Sequence, residues 1–405
     1  GVSDKKITTR HMLKNAMIPI ITAVGLQFGT LLGGAMLTET VFSWPGLGRL
    51  MVDSIKSKDI PMVLGSVIFL AIMFTVVNLA VDIIYAFVDP RIKSQYKRKE
   101  VQFMGKKHLI AAEAEGDQRS LWGEAWRRFK KNRLAMIGMY FILALVIIAI
   151  ATIIIDAVTG KSIYLNYVVK QDLRGRLQGP SLAHPFGLDE FGRDMLLRML
   201  WAVRYSLFMG TVAIVISCIF GGLLGAFAGY YGKTADNIIM RIMDILLAIP
   251  SMLLAIAIVA ALGTSITNVL IAIAISYVPT FARTVRASVL TVKDQEFIEA
   301  ARSIGCSDWR IIIKYVIPNS MAPIIVQVTL GIAGAILSIA GLSFLGLGIQ
   351  PPTPEWGAML SNARSYIRDA WHVTIIPGMG IMLTILALNL VGDGLRDALD
   401  PRLKS

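Results

Sequence analysis

Apolar residues run almost without interruption over about 17–39, 61–88, 134–157, 205–230, 242–262, 266–286, 321–347 and 373–392. Each run is near the ~20 residues a helix needs to cross a bilayer. None alternates apolar and polar positions as a barrel strand does, and each is too long to be one. Within lipid the backbone must satisfy its own hydrogen bonds, so the pattern predicts an all-α membrane protein of about eight transmembrane helices. Composition agrees. Of 405 residues 55% are hydrophobic and 17% charged, and the mean hydropathy is +0.64, outside the soluble globular range.

The net charge of +13 changes the picture only in detail. Lys and Arg gather beside the spans, as in Arg91 to Lys99 and Arg127 to Arg133, the signature of short segments kept on the cytoplasmic side, with membrane lipids rather than nucleic acid as the partner. On that rule 89–133, 231–241 and 283–318 lie inside. One segment fits poorly. Residues 158–204, placed outside, hold Lys161, Lys170, Arg174, Arg176, Arg193, Arg198 and Arg204 against Asp172, Asp189, Glu190 and Asp194. Its length and its compensating acids let it escape a rule that weighs short loops most. Cys218 and Cys306 suggest no disulfide framework, and the four histidines stand in no metal-ligand spacing, so no metal site is expected.

A repeat divides the chain. Gly1, Ser3, Asp4, Ile7, Asn15, Met17, Pro19, Ile20 and Ile21 recur at a constant offset as Gly305, Ser307, Asp308, Ile311, Asn319, Met321, Pro323, Ile324 and Ile325. Downstream, Asn78, Asp82, Asp89, Pro90 and Arg91 recur as Asn389, Asp393, Asp400, Pro401 and Arg402. Each unit runs from a polar hinge through two spans to a D-P-R stop. The expected organisation is a partial unit over 1–93 with two spans, a polar segment over 94–133 rich in Lys, Arg and Glu, and a six-span core over 134–405. Gly1 in place of Met reads as the middle of a longer chain.

The hinge has its own grammar. Asp294 to Ser303 is helix-forming, Gly305 supplies a left-handed corner, and Ser307 is a good N-cap for a second helix over 308–317 that ends at Pro318. That helix puts Ile311, Ile312, Tyr315 and Val316 on one face. A connector between spans needs neither capping nor an apolar face, and duplication with charge and glycine intact suggests a partner with two matching grooves.

At this point the residues resemble a known family. Glu299, Ala300, Ala301, Gly305, Ile317 and Pro318 fit the E-A-A, three residues, G, nine residues, I-x-L-P signature of binding-protein-dependent ABC importer permeases, with Tyr315 at the Ile position and Ile317 at the Leu position. HPFGLDEFGRDMLLRMLWAVRYSL (184–207), RIMDILLAIPSMLL (241–254), GLSFLGLGIQPPTPEWGAML (341–360) and DALDPRL (397–403) resemble the C-type permease of dipeptide, oligopeptide and nickel importers. Residues 1–93 resemble the end of the B-type partner, beginning at the glycine of its signature and with Lys14 at the Pro position.

The resemblance implies a type I ABC importer permease fold in a bacterial or archaeal cytoplasmic membrane, with both ends of the complete unit inside. It implies two cytosolic ATPase subunits, an extracytoplasmic solute-binding protein, and either a complete B-type permease or the missing front of this one. ATP would be used by the partner subunits, with no cofactor bound by the permease and no catalytic residue in it. The ATPase-coupling residues would be Glu299, Ala300, Ala301, Gly305, Ser307 and Asp308, joined by Gly1, Ser3 and Asp4 of the first copy. The cargo expected first is a di- or oligopeptide and second nickel; no residue is assigned to cargo binding. GYYGKT at 229–234 lacks the first glycine of a phosphate-binding loop, where Phe227 stands, and follows a span rather than a strand. An ion-coupled secondary transporter would leave the duplicated hinge without a role, and an intramembrane enzyme would want a nucleophile or metal constellation that the spans do not supply.

In the membrane, Pro250, Pro279 and Pro377 are candidate breaks, and Gly221, Gly222 and Gly225 candidate close contacts. Asp82, Asp244 and Asp393 lie near span ends, where snorkelling or a structural ion pair is the expected use.

Overall fold

The structure, a computed structural model, describes residues 36, 38–40, 42–57, 59–88 and 121–399. Nearly all of the predicted span 17–39, and the first hinge copy with Gly1, Ser3 and Asp4, lie outside the described residues. What is described is helical: α1 (Leu47–Lys56), α2 (Ile60–Val88), α3 (Leu121–Lys131), α4 (Arg133–Val158), α5 (Met195–Tyr231), α6 (Lys233–Leu247), α7 (Ser251–Leu262), α8 (Ile266–Val292), α9 (Glu296–Ser303), α10 (Asp308–Ile311), α11 (Ile317–Asn319), α12 (Met321–Phe344), α13 (Trp356–Ala363) and α14 (Trp371–Leu399). Extended pairing among the described residues is confined to one bridge, Leu188 with Asp194.

Among the described residues six helices are long and apolar enough to cross a membrane: α2, α4, α5, α8, α12 and α14. The predicted run 242–262 is not one straight span. It breaks at Ala248–Pro250 into α6 and α7, which are bent by 84°. Proline cannot donate to the preceding turn, and the residue before it is steered out of the helical region, so the break falls at Pro250. Pro279 and Pro377, by contrast, lie inside unbroken α8 and α14.

Among the described residues α5 and α8 make the most extensive helix contact, and glycine sets their approach. A Cβ at Gly221 would lie 2.5 Å from the Val278 carbonyl oxygen, and one at Gly225 2.2 Å from that of Ala282. A Cβ at Gly222 would meet only Val285 Cγ2, at 3.8 Å. Small residues let backbones touch where lipid offers no hydrophobic drive to associate. Ser217 Oγ adds a hydrogen bond of 2.9 Å to the Ala274 carbonyl across the same crossing.

The two largest apolar cores among the described residues follow from this frame. In the first, Val63, Val67 and Leu70 of α2, one helical face at i, i+4 and i+7, pack with Leu253, Ile256 and Val259 of α7 and with Met209, Ile214 and Ile273. α2 therefore lies against the second half of the broken span. In the second, Met195, Met199 and Ala202 of α5 pack with Trp356 and Met359 of α13 and Val373 and Ile381 of α14. The helices alternate in direction, so one end of the bundle carries the 159–194 loop and the 345–370 segment, and the opposite end carries the hinge.

Candidate functional site

The hinge is a helix, a glycine corner and a second helical segment, as its sequence predicts, with different internal geometry. Gln295 stands at the N-cap position of α9, so the helix begins two residues into the predicted run. Its first turn carries Glu296 and Glu299 and its last Arg302, the charge order that suits the helix dipole. α9 ends in a Schellman arrangement: Gly305 N donates to the Arg302 carbonyl at 2.9 Å and Cys306 N to that of Ala301 at 3.1 Å. Gly305 has φ +79°, a conformation L side chains rarely adopt, while a Cβ there would meet open space. Backbone torsion, not crowding, selects glycine here.

Two details depart from the sequence reading. Ser307 occupies the N-cap position of α10, but its side chain makes no cap hydrogen bond. The segment 308–317 is not one helix closed by Pro318. α10 lasts four residues, widens into a π turn over Ile312–Val316, and passes through α11 to Asn319. A π turn bonds i to i+5, and Pro318, at an early position of α11 where an N–H is not needed, does not stop the chain.

The predicted apolar face is realised. Ile311, Ile312 and Val316 are buried and Tyr315 half-buried, and with Ile298 and Ala301 they pack on Ala226, Tyr230, Val285, Val289 and Ile324. The hinge is thus bolted to the ends of α5, α8 and α12. Polar contacts add to the seat. Tyr230 Oη donates to Asp308 Oδ1 at 2.7 Å. The Arg302 guanidinium lies 5.2 Å from the centre of the Tyr230 ring, and its hydrogen bond to Tyr230 holds its pKa above the ordinary arginine value. Lys293 Nζ donates to the Gly229 carbonyl at 3.1 Å, placing a cation at the C-terminal end of α5.

Of the predicted site residues, Glu299, Ala300, Gly305, Ser307 and Asp308 are exposed and share this element. Ala301 is buried, so its small side chain serves packing within the chain. Around them Phe297, Ile304, Trp309 and Ile313 are exposed, Ile304 at 78%. An apolar surface with acids beside it on a firmly seated element is suited to gripping by another body. Sequence reasoning missed Tyr230, Arg302 and Lys293. The glycine-lysine corner at 229–234 drew notice only as a phosphate loop, whereas Gly229 and Tyr230 are helical and Gly232, at φ +63°, turns α5 into α6.

Beside the hinge, α6 is tied to α8 by two ion pairs. Arg283 Nη2 contacts Asp244 Oδ1 at 2.5 Å. The Arg286 guanidinium meets Asp236 through two nitrogens, Nη2 to Oδ2 at 2.6 Å and Nε to Oδ1. Asp244 therefore has the structural ion pair expected of an acid near a span end; Asp393 is exposed, and the Asp82 side chain lies outside the described residues.

The opposite end of the bundle holds its charges inside. Asp189 Oδ2 is 2.6 Å from Arg193 Nε and 3.3 Å from Arg198 Nε, and all three side chains are buried. Asp156 of α4 pairs with Arg204 of α5 at 2.6 Å and accepts from Trp201 Nε1 at 3.1 Å. Glu355 caps α13 by accepting from the backbone N–H groups of Gly357 and Ala358 at 2.9 and 2.8 Å, and burial raises its pKa. Buried charges are tolerable when so paired.

Comparison with known proteins places these features in a family. Residues 1–94 and 221–405 match the family described as binding-protein-dependent transport system inner membrane component, and residues 120–180 match the N-terminal TM domain of oligopeptide transport permease C. The dipeptide transport system permease protein DppC of Alkalihalophilus pseudofirmus is 50% identical over 286 residues, 71% of this chain and 91% of that protein. The glutathione transport system permease protein GsiD of Escherichia coli O6:K15:H31 is 48% identical over 286 residues, 71% of this chain and 92% of that protein. Among solved structures, the inward-facing MetNI methionine ABC transporter aligns over 51% of this chain and 98% of its own with 17% identity and a TM-score of 0.42. The chain belongs to the binding-protein-dependent transport system inner membrane components, the permeases of ABC importers.

Proposed function

We propose that this permease conducts di- or oligopeptides, driven by two ATPase subunits, one of which grips the hinge at 294–318. The carrying observation is the seat of that hinge: its buried face is continuous with the ends of α5, α8 and α12, while its exposed face offers Glu299 and Ala300 beside Phe297, Ile304, Trp309 and Ile313. A push on such an element moves the spans as bodies, because packed helices shift between discrete arrangements rather than deform smoothly. The hinge end would face the cytoplasm and the 159–194 end the outside, where a solute-binding protein delivers cargo. Residues 1–93 would be the end of a B-type unit, and Gly1, Ser3 and Asp4 part of the second grip. Peptide cargo is favoured over nickel because the similar permeases are named for dipeptide and glutathione transport.

The test is a reconstituted complex with both ATPases, a B-type permease and the binding protein. Glu299→Lys and Gly305→Pro are expected to abolish cargo-stimulated ATP hydrolysis while membrane insertion and assembly of the permeases persist. Unchanged stimulation in both variants overturns the assigned coupling role, and transport that proceeds without any ATPase overturns the importer reading itself.

A further inference from the structure

No residue of the chain is tied to cargo by its sequence, and the broken span is where the structure offers some. A helix interrupted inside a transporter leaves groups free to line a cavity instead of packing. α7, beyond the break at Ala248–Pro250, packs against α2 and α8. α6, before the break, packs little: Met243 alone among its residues is buried. Between α6 and α8, on the hinge side of the break, lies a cavity of about 710 Å³. It is lined by Asp236, Asn237, Arg241 and Asp244 of α6 and Arg286 of α8, together with three apolar residues of α6. Its size falls within the range of small-molecule sites, ~300–1,000 Å³. A second cavity, of about 620 Å³ between α12, α13 and α14, is apolar apart from Asn389 and offers a charged ligand nothing to pair with.

The charges of the first cavity are of both signs and unequally engaged. Asp236 is held by Arg286 through two nitrogens, and these side chains are 17% and 33% exposed. Asp244 meets Arg283 at 2.5 Å, with side chains 46% and 54% exposed. Asn237 and Arg241 are exposed and make no side-chain hydrogen bond or ion pair among the described residues. Asn237, Arg241 and Asp244 stand at i, i+4 and i+7, on one face of α6. The deeper pair therefore fixes α6 to α8, while one free cation and one loosely paired acid line the cavity a helical turn apart.

We propose that this cavity is a cargo site for the zwitterionic backbone of a dipeptide, with Arg241 taking the C-terminal carboxylate and Asp244, released from Arg283, the N-terminal ammonium. The inference rests on the peptide-importer reading and assigns residues to it. Residues three apart on a helix carry their Cβ atoms ~5–6 Å apart, and two extended residues span ~7 Å, so the two charges of a dipeptide reach both side chains. Exchanging one exposed ion pair for another costs little, because such pairs contribute little in water. Nickel fits poorly. A divalent cation wants unpaired oxygen or imidazole ligands, and both acids here have arginine partners. Weak, two-point binding on the hinge side suits cargo that has passed the break and is about to leave.

The experiment measures binding of radiolabelled Ala-Ala to the assembled transporter in nanodiscs, without the solute-binding protein, and its competition by N-acetyl-Ala-Ala and by Ala-Ala-amide. Wild type is expected to bind Ala-Ala saturably and each blocked peptide about fivefold more weakly. Arg241→Ala should weaken Ala-Ala to a similar extent and spare Ala-Ala-amide, which has no carboxylate to lose. Asp244→Asn should weaken Ala-Ala and spare N-acetyl-Ala-Ala, which has no ammonium. Equal loss of all three peptides in both variants assigns these residues to holding α6 in place and overturns the proposal. So does competition by the blocked peptides as good as by Ala-Ala itself, or a wild type that imports Ala-Ala at the expense of ATP yet shows no saturable binding. A wild type that imports no peptide, or imports it without ATPases, instead overturns the reading on which the site rests.

Discussion

Tyr230 and Asp308 stand 78 residues apart in sequence and are joined by a hydrogen bond of 2.7 Å, from the end of α5 to the first residue of α10. The bond ties the second segment of the hinge to a membrane-spanning helix. Tyr230→Phe removes only the donor, and Asp308→Ala only the acceptor. Each is expected to cost about 1 kcal/mol of stability and to lower cargo-stimulated ATP hydrolysis several-fold more than basal hydrolysis. The double variant should be no worse than the poorer single variant. Additive losses, measured by thermal unfolding and by turnover of the reconstituted complex, would show that the two groups act separately.

Gly305 makes a cleaner probe of the corner than of the core. Because a Cβ there meets nothing within 4 Å, Gly305→Ala should cost only the left-handed backbone term, about 1 kcal/mol. Gly305→Asn should cost less, since Asn tolerates that region. A thermal shift for Ala much larger than this would mean that the corner is crowded in the assembled transporter. Equal shifts for Ala and Asn would mean that torsion is not what selects glycine.

The hinge was legible because its signals are local: Gly305 at a helix end, a charge order along α9 and an apolar face at 311–316 are each written within a few residues. The six spans found among the described residues were legible from length and apolar content alone. What escaped depends on partners far away in sequence. Nothing near Tyr230 announces Asp308, and the inward turn of Asp189 toward Arg198 depends on how the loop folds back at Gly192. The π turn at 312–316 escaped for another reason, because Pro318 was read as a stop although it sits where α11 requires no N–H. The 84° break was half legible: Pro250 marked the place, but residues 242–262 stay apolar through it.

Gly221, Gly222 and Gly225 of α5 are not equivalent, and the α5–α8 crossing ranks them. Gly225→Ala drives a Cβ into the Ala282 carbonyl and should destabilise by about 1–3 kcal/mol. Gly221→Ala, aimed at the Val278 carbonyl, should fall in the same range, whereas Gly222→Ala has room and should be nearly neutral. Thermal unfolding in detergent orders the three, and a Gly222 variant as damaged as Gly225 would contradict this crossing.

The ion pairs between α6 and α8 differ in exposure and should differ in worth. Arg283 and Asp244 are both about half exposed, and a double-mutant cycle on them is expected to give about 0–0.5 kcal/mol. Arg286 and Asp236 are less exposed and meet through two nitrogens, so their coupling should approach about 1 kcal/mol. Swapping the charges at 236 and 286 should restore part of what either reversal loses. A larger coupling for the exposed pair would contradict this ranking.

Glu190 gives the loop end a pH dependence with a definite sign. Its pKa is raised from 4.5, first by burial and then by the neighbouring Asp189 carboxylate, against the opposing pull of Arg193. Just above pH 4.5 the folded protein therefore holds more protons at this site than the unfolded chain does. Stability contributed by this group must fall as pH rises through that window and then level off above the folded pKa. In Glu190→Gln the group cannot ionise, so the loss of Tm between about pH 5 and about pH 8 should be smaller than in wild type. Arg193 keeps its 2.6 Å contact with Asp189 in that variant, so the loop should stay folded. An identical slope of Tm against pH in the two proteins would assign the dependence to another group, and a steeper slope in the variant would reverse the sign argued for Glu190.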